Sequence, residues 1–167
     1  MKFEAHSIES FTRYLGENGY TRSMLERVQD TIFISINDSK SKPLLSRATN
    51  VKVFHFDDIR WEDSEVGKSS IFWKHFTREM AQEILEFVDT NKSKVACIIH
   101  CHAGLSRSVA IAEFLTKYTE GTLWYSKVEG FATLVHEEWW KTKQGVLYLI
   151  NPWIFRLMET AMTKNTK

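Results

Sequence analysis

The sequence has few of the residues that cross-link a chain or break its secondary structure. Only two of its 167 residues are cysteine and only two are proline. Two cysteines are too few for the disulfide framework of a small secreted domain. If Cys97 and Cys101 lie on one strand, their Cα atoms are about 13 Å apart at ~3.3 Å per residue, whereas a disulfide needs less than about 7 Å. We therefore expect two free thiols.

The sequence also lacks an excess of either charge and any long apolar run. Its 22 basic and 21 acidic residues give a formal net charge of +1, so it has no field of the kind that draws a protein onto nucleic acid or acidic membranes. The longest apolar stretches, such as 145–150, fall far short of the ~20 residues of a membrane span. The first ten residues lack the apolar core of a signal peptide. We expect a cytoplasmic protein with no membrane partner, and the balance of charge does not favour a nucleic-acid partner.

Repeats, low-complexity tracts and linkers rich in Pro, Gly or Ser are also missing from the sequence. The hydrophobic fraction is 43% and the charged fraction 26%, values typical of a globular protein. A chain of this length is long enough to bury one sizeable core. The sequence therefore predicts a single domain over residues 1–167.

Segments typical of strands alternate along the chain with segments typical of helices. Strands rich in β-branched and aromatic residues are predicted at 31–36, 51–56 and 94–100, with an additional edge strand at 1–6. Helices are predicted from the capping residue Ser7 to Leu15 with Gly16 closing the turn, at 74–90, from near Ser106 to about 116, and after Asn151 and Pro152. This alternation predicts an α/β fold, with a central, mainly parallel sheet of four to five strands and helices on both faces.

The most informative stretch is "VACIIHCHAGLSRS", residues 95–108, in which a buried strand ends in a polar loop that leads into a helix. The carboxyl end of such a strand opens onto a ligand crevice, and the start of the helix offers unpaired N–H groups that suit an anion of phosphate size. Gly104 permits the positive φ of an anion-binding nest, and Arg107 adds a fork of donors that can hold two phosphate oxygens. In these surroundings Cys101 should ionise readily and act as a nucleophile.

The segment "HCHAGLSRS" resembles the His-Cys-x5-Arg-Ser/Thr signature of the cysteine-dependent protein tyrosine phosphatases, most closely the small dual-specificity type. The resemblance covers about residues 30–120. It implies that Cys101 forms a phosphocysteine intermediate, that Ser108 stabilises the departing thiolate, and that His100 braces the loop and helps to keep the cysteine ionised. The resemblance also implies a set of phosphate-binding residues: His102, Ala103, Gly104, Leu105, Ser106 and Arg107. Neither a metal nor another cofactor is implied.

The resemblance further implies a general acid on a separate loop. The segment "FHFDDIRWED" offers three aspartates near the end of a predicted strand, and we favour Asp58, with Asp57 second and Asp63 third. Asp58 lies farther before the cysteine than is usual in the small dual-specificity enzymes, which predicts an insertion around residues 60–73. Three aromatic residues flank this segment and are candidates for the walls of a substrate pocket: Trp61, Phe72 and Trp73.

The expected function is hydrolysis of phosphotyrosine in a protein or peptide, with phosphoserine and phosphothreonine left open. A phosphopeptide-binding module without turnover is the alternative from a different class. Phosphatases acting on RNA 5′-phosphates or on phosphoinositides are further alternatives, although the variable loop positions carry none of the extra basic residues that a highly charged inositol lipid would favour.

Overall fold

The structure, a computed structural model, describes residues 1–59, 73–125 and 150–163. Its centre is a five-stranded sheet in the order β3-β2-β4-β1-β5, and every pair of neighbouring strands is parallel. The strands are β1 (Lys2–His6), β2 (Thr31–Asn37), β3 (Val51–His55), β4 (Ala96–His100) and β5 (Thr122–Tyr125). The predicted α/β fold with a mainly parallel sheet is confirmed.

Helices cover both faces of this sheet. They are α1 (Ile8–Glu17), a 3₁₀ helix (Arg22–Arg27), α2 (Arg78–Thr90), α3 (Arg107–Thr119) and α4 (Pro152–Met162). One apolar cluster joins α2, α3 and α4 to one face, and a second joins α1 and the 3₁₀ helix to the other. Every residue of β2 and β4 is buried, which explains why both strands read as almost continuous apolar runs.

The helix starts follow from local capping. The Ser7 and Ser10 side chains each accept a hydrogen bond from the other residue's backbone N–H and form a capping box at the start of α1. Asn151 accepts two backbone N–H groups at the start of α4, where Pro152 occupies the first turn. Both caps agree with the sequence prediction.

One predicted strand position and two predicted helix boundaries are wrong. The strand β1 is not at an edge, because β5 pairs with it on the side away from β4. Helix α1 continues through Gly16 to Glu17, and the glycine with positive φ near its end is Gly19. Helix α2 begins at Arg78 rather than at residue 74, because the Thr77 side chain caps the N–H of Met80 there.

Since all five strands run in the same direction, their carboxyl ends meet at one edge of the sheet. The segments that follow β1, β2, β3 and β4 along the chain therefore begin side by side at this edge. Within the described part of the chain, no helix is both long enough and apolar enough to cross a bilayer.

Candidate active site at the carboxyl edge of the sheet

The loop of residues 101–106 connects β4 directly to α3 at this edge. Cys101 is 2% exposed, at the base of the loop. Its Sγ accepts a hydrogen bond from the N–H of Gly104 over 3.2 Å and lies 3.2 Å from Oγ of Ser108. Two polar groups thus contact the sulfur. The predicted strand–loop–helix arrangement is confirmed.

The turn between β1 and α1 forms the floor of this loop. The carbonyl of His6 accepts the N–H of Cys101 over 3.2 Å and lies 3.4 Å from Oγ of Ser108, and the N–H of Ile8 donates to the carbonyl of His102 over 3.2 Å. Gly104 has φ +72° and packs so closely that an added Cβ would lie 2.3 Å from the nitrogen of Ser7. Glycine is therefore required here both for its conformation and for its size.

The remaining backbone donors of the loop are unpaired within the described residues. The N–H groups of His102, Ala103, Leu105 and Ser106 donate no hydrogen bond in that part of the chain. His102 and Ala103 are exposed, and the others are partly buried. Unpaired main-chain donors at the start of a helix are the groups that bind phosphate in many proteins. The phosphate-binding role that the resemblance implies for these residues stays a prediction.

Arg107 is buried in the first turn of α3, with 5% of its surface exposed. Its Nη1 donates to the carbonyl of Phe56 over 2.8 Å and contacts Oδ1 of Asp38 at 2.7 Å. Its Nε is buried and has no hydrogen-bond partner among the described residues. An unpaired buried donor is costly, so this N–H is the donor of Arg107 that most needs a partner.

The two aspartates after β3 have different surroundings. Asp57 is 9% exposed, and its two carboxylate oxygens accept the backbone N–H groups of Ser39 and Lys74 over 3.1 and 2.9 Å. Burial raises its pKa, but hydrogen bonds from these two residues and the charge of Arg107 lower the pKa more, so that it lies below its usual value. Asp57 therefore stays ionised and serves to tie together the segments after β2 and β3.

Asp58 is exposed and faces the cysteine loop. Its Oδ1 accepts hydrogen bonds from Oγ of Ser106 over 2.9 Å and from Nδ2 of Asn151 over 2.7 Å. Its other oxygen, Oδ2, has no hydrogen bond from the part of the chain that the structure describes. Of the two neighbouring candidates, Asp58 is the one with an oxygen available for proton transfer. Asp63, the third candidate, lies outside the described residues.

A cleft of about 590 Å³ opens beside the two aspartates. Its described lining consists of Asp38, Ser39, Lys40, Asp57, Asp58 and Trp73. Trp73 is 56% exposed and lines this cleft; its contact with a substrate stays a prediction. Trp61, Phe72 and most of the predicted insertion at 60–73 lie outside the described residues.

His100 is fully buried, but its ring forms no hydrogen bond within the described chain. It stacks on Phe11 with ring centroids 4.7 Å apart. Burial first, and then the charges of His6 and Arg22, lower its pKa to about 3. The imidazole is therefore neutral near pH 7 and adds no positive charge next to the cysteine. Any bracing by His100 comes from packing.

Sequence reasoning did not identify two residues of this site. Asp38 follows β2 and contacts Arg107, while Asn151 was expected only as a helix cap but also donates to Asp58 and to the carbonyl of Ile59. A signal for Asp38 exists, because "NDS" at 37–39 is a polar stretch at the carboxyl end of a buried parallel strand. Nothing in the sequence indicates the Asn151 contact, which brings together residues 93 positions apart.

Comparison of the chain with protein-family models, with curated proteins and with solved structures gives no match. Among the residues that the structure describes, no three His, Cys, Asp or Glu side chains are grouped so that they could hold a metal ion.

Proposed function

We propose that the chain is a cysteine-dependent phosphatase that hydrolyses phosphotyrosine in proteins or peptides through a phosphocysteine intermediate. One observation carries the proposal. The sulfur of Cys101 accepts the N–H of Gly104, in a loop whose other backbone N–H groups are unpaired within the described chain and which leads directly into Arg107, whose buried Nε has no partner in the described chain. A nucleophile close to donors that can hold the oxygens of a phosphoryl group is the arrangement needed for attack on phosphorus.

In the first step the thiolate of Cys101 attacks the phosphorus atom and forms an S–P bond, while the bond between phosphorus and the ester oxygen breaks. The loop N–H groups and Arg107 stabilise the charge on the three remaining phosphoryl oxygens. Asp58, protonated at Oδ2, gives its proton to the leaving oxygen. The first product is therefore the neutral alcohol or phenol.

In the second step Asp58 accepts a proton from a water molecule, which attacks the phosphorus atom of the intermediate. The S–P bond breaks, inorganic phosphate leaves, and the sulfur returns to the thiolate. The hydroxyl of Ser108, 3.2 Å from the sulfur, donates a hydrogen bond to the thiolate as it forms. The sum of the two steps is phosphomonoester plus water giving alcohol plus phosphate.

The cleft supports a phosphoprotein substrate over a polyanionic one. Three of its six described lining residues are aspartates and one is lysine. Neighbouring carboxylates repel the additional charges of an inositol polyphosphate or an RNA 5′-triphosphate. The exposed indole of Trp73 suits the ring of a phosphotyrosine.

The proposal is tested by hydrolysis of 4-nitrophenyl phosphate in the presence of a chelator. We expect activity in the unmutated protein and in Cys97→Ala, and none in Cys101→Ser. Cys97 is a matched control, because it is a buried cysteine on β4, the strand that Cys101 directly follows, and burial raises its pKa. Rapid quenching and mass spectrometry should locate phosphate on the peptide that contains Cys101.

Three outcomes would contradict the proposal. Activity that survives Cys101→Ser would exclude the cysteine mechanism. Binding of a phosphotyrosine peptide without turnover by the unmutated protein would favour a phosphopeptide-binding module. Faster hydrolysis of a phosphoinositide or an RNA 5′-phosphate than of phosphotyrosine peptides would change the substrate class.

A further inference from the structure

Asp38 contacts His102, near the start of the loop of residues 101–106, and Arg107, which directly follows this loop. It follows the last residue of β2, which pairs with β4 in the sheet. Its Oδ1 lies 2.7 Å from Nη1 of Arg107, and its Oδ2 lies 3.9 Å from Nδ1 of His102. A single carboxylate, whose side chain is 43% exposed, thus contacts residues on both sides of the segment 103–106.

The hydrogen bonds of Arg107 define which edge of its guanidinium is free. Nη1 has two hydrogens, and its two acceptors are the carbonyl of Phe56 at 2.8 Å and Oδ1 of Asp38 at 2.7 Å. Nε is buried without a partner in the described chain. The five N–H donors of a guanidinium lie in one rigid plane, so fixing Nη1 at two points also fixes the direction of the Nε edge.

We propose that Asp38 is a positioning residue that orients Arg107 so that its Nε edge faces the bound phosphoryl group. The proposal depends on the phosphatase function proposed above. Asp38 does not occupy the donor proposed for the anion, because it contacts Nη1 and leaves Nε without a partner in the described chain. It also carries a negative charge that repels a dianion, so its removal has two opposite effects on anion binding. Orientation is the larger effect, since Asp38 is partly exposed and water screens its repulsion.

The test compares Asp38→Ala, which removes both the charge and the acceptor, with Asp38→Asn, which removes the charge but keeps an acceptor oxygen. The probe is tungstate, a tetrahedral dianion, with binding measured by calorimetry, and kcat and KM are measured with 4-nitrophenyl phosphate. Asp30→Ala is the matched control, because Asp30 precedes the opposite end of β2 and its side chain accepts a hydrogen bond from Thr31. Circular dichroism verifies that each variant is folded.

Losing a charge-assisted hydrogen bond typically costs enough to change an equilibrium about 10–100-fold. We expect Asp38→Ala to bind tungstate weaker by roughly this factor and to lose kcat/KM in parallel, with Asp38→Asn between it and the unmutated protein. Asp30→Ala should behave as unmutated. This order of the two Asp38 variants would not arise from charge repulsion alone.

Three other results would overturn the proposal, each for a different reason. Tighter tungstate binding by both variants would make Asp38 a competitor of the phosphate. Unchanged binding and turnover in Asp38→Ala would leave Arg107 oriented by Phe56 alone. An unmutated protein that neither binds tungstate nor hydrolyses the ester would overturn both this proposal and the phosphatase function.

Discussion

Replacing Gly104 by alanine tests whether the turn between β1 and α1 shapes the cysteine loop. The residue has φ +72°, and an added Cβ would lie 2.3 Å from the nitrogen of Ser7 and 2.7 Å from the carbonyl carbon of His6. These are backbone atoms, so no side chain can rotate away to make room. Either the loop or the turn must move.

Gly19 provides a control with the same backbone conformation. Its φ is +68°, but nothing lies within 4 Å of an added Cβ. The left-handed conformation costs a non-glycine residue about 1–2 kcal/mol, and this cost applies to both substitutions. Overpacking adds about 1–3 kcal/mol in Gly104→Ala alone. The expected total is therefore about 2–5 kcal/mol for Gly104→Ala and about 1–2 kcal/mol for Gly19→Ala.

Thermal unfolding and turnover together separate the two effects. At about 2–4 °C per kcal/mol for a chain of this size, Gly104→Ala should unfold several degrees below Gly19→Ala. A displacement of about 1 Å in a catalytic group can cost ~10²-fold in rate, so Gly104→Ala should also lose activity, and Gly19→Ala should not. Equal melting temperatures and equal activities for the two variants would refute the close packing of loop and turn.

Two further predictions concern titratable side chains. Asp58→Asn should lower kcat by about 10²–10⁴-fold, more with phosphotyrosine than with 4-nitrophenyl phosphate, whose leaving group is a stronger acid. Asp57→Asn should mainly lower the melting temperature, and a rate loss confined to Asp57→Asn would transfer the proton-donor role to that residue. Burial above all lowers the pKa of His100 from 6.5 to about 3, so the unfolded chain binds a proton that the folded chain excludes, and stability falls as the pH drops from 6.5 towards 3. In His100→Gln the melting temperature should depend less on pH in this window. A pH dependence equal to that of the unmutated protein would contradict a buried neutral ring at His100.

The sequence was sufficient for the parts of the fold that depend on local patterns. Continuous apolar runs predicted the doubly covered strands β2 and β4, and Ser7 and Asn151 predicted two helix starts. The error at Gly16 has a local cause, since an isolated glycine is tolerated inside a helix at a cost of roughly 1 kcal/mol. The position of β1 could not be read in this way, because it depends on β5, a strand of four residues that pairs with β1 from the far side.

The candidate site was predictable where it is continuous in sequence. Cys101, Gly104, Arg107 and Ser108 come together because one strand, one loop and one helix follow each other directly. The contacts that orient them come from elsewhere along the chain: from Asp38 and from a set of backbone groups at Phe56, His6 and Ile8. Backbone N–H and C=O groups have the same chemistry in nearly every residue. No sequence pattern therefore identifies which of them will form a hydrogen bond with the loop or with Arg107.

The alternation of side chains along β4 explains why two adjacent residues of the motif have such different surroundings. Cys101 belongs to the apolar cluster with α2, α3 and α4, whereas the ring of His100 stacks on Phe11 of the opposite cluster. Successive side chains of a strand point to opposite faces, so the imidazole is directed away from the sulfur by the geometry of the strand itself. An electrostatic effect of His100 on the thiolate would require a charged ring, and burial against Phe11 opposes that charge. The polar groups that contact the sulfur directly are the N–H of Gly104 and the hydroxyl of Ser108.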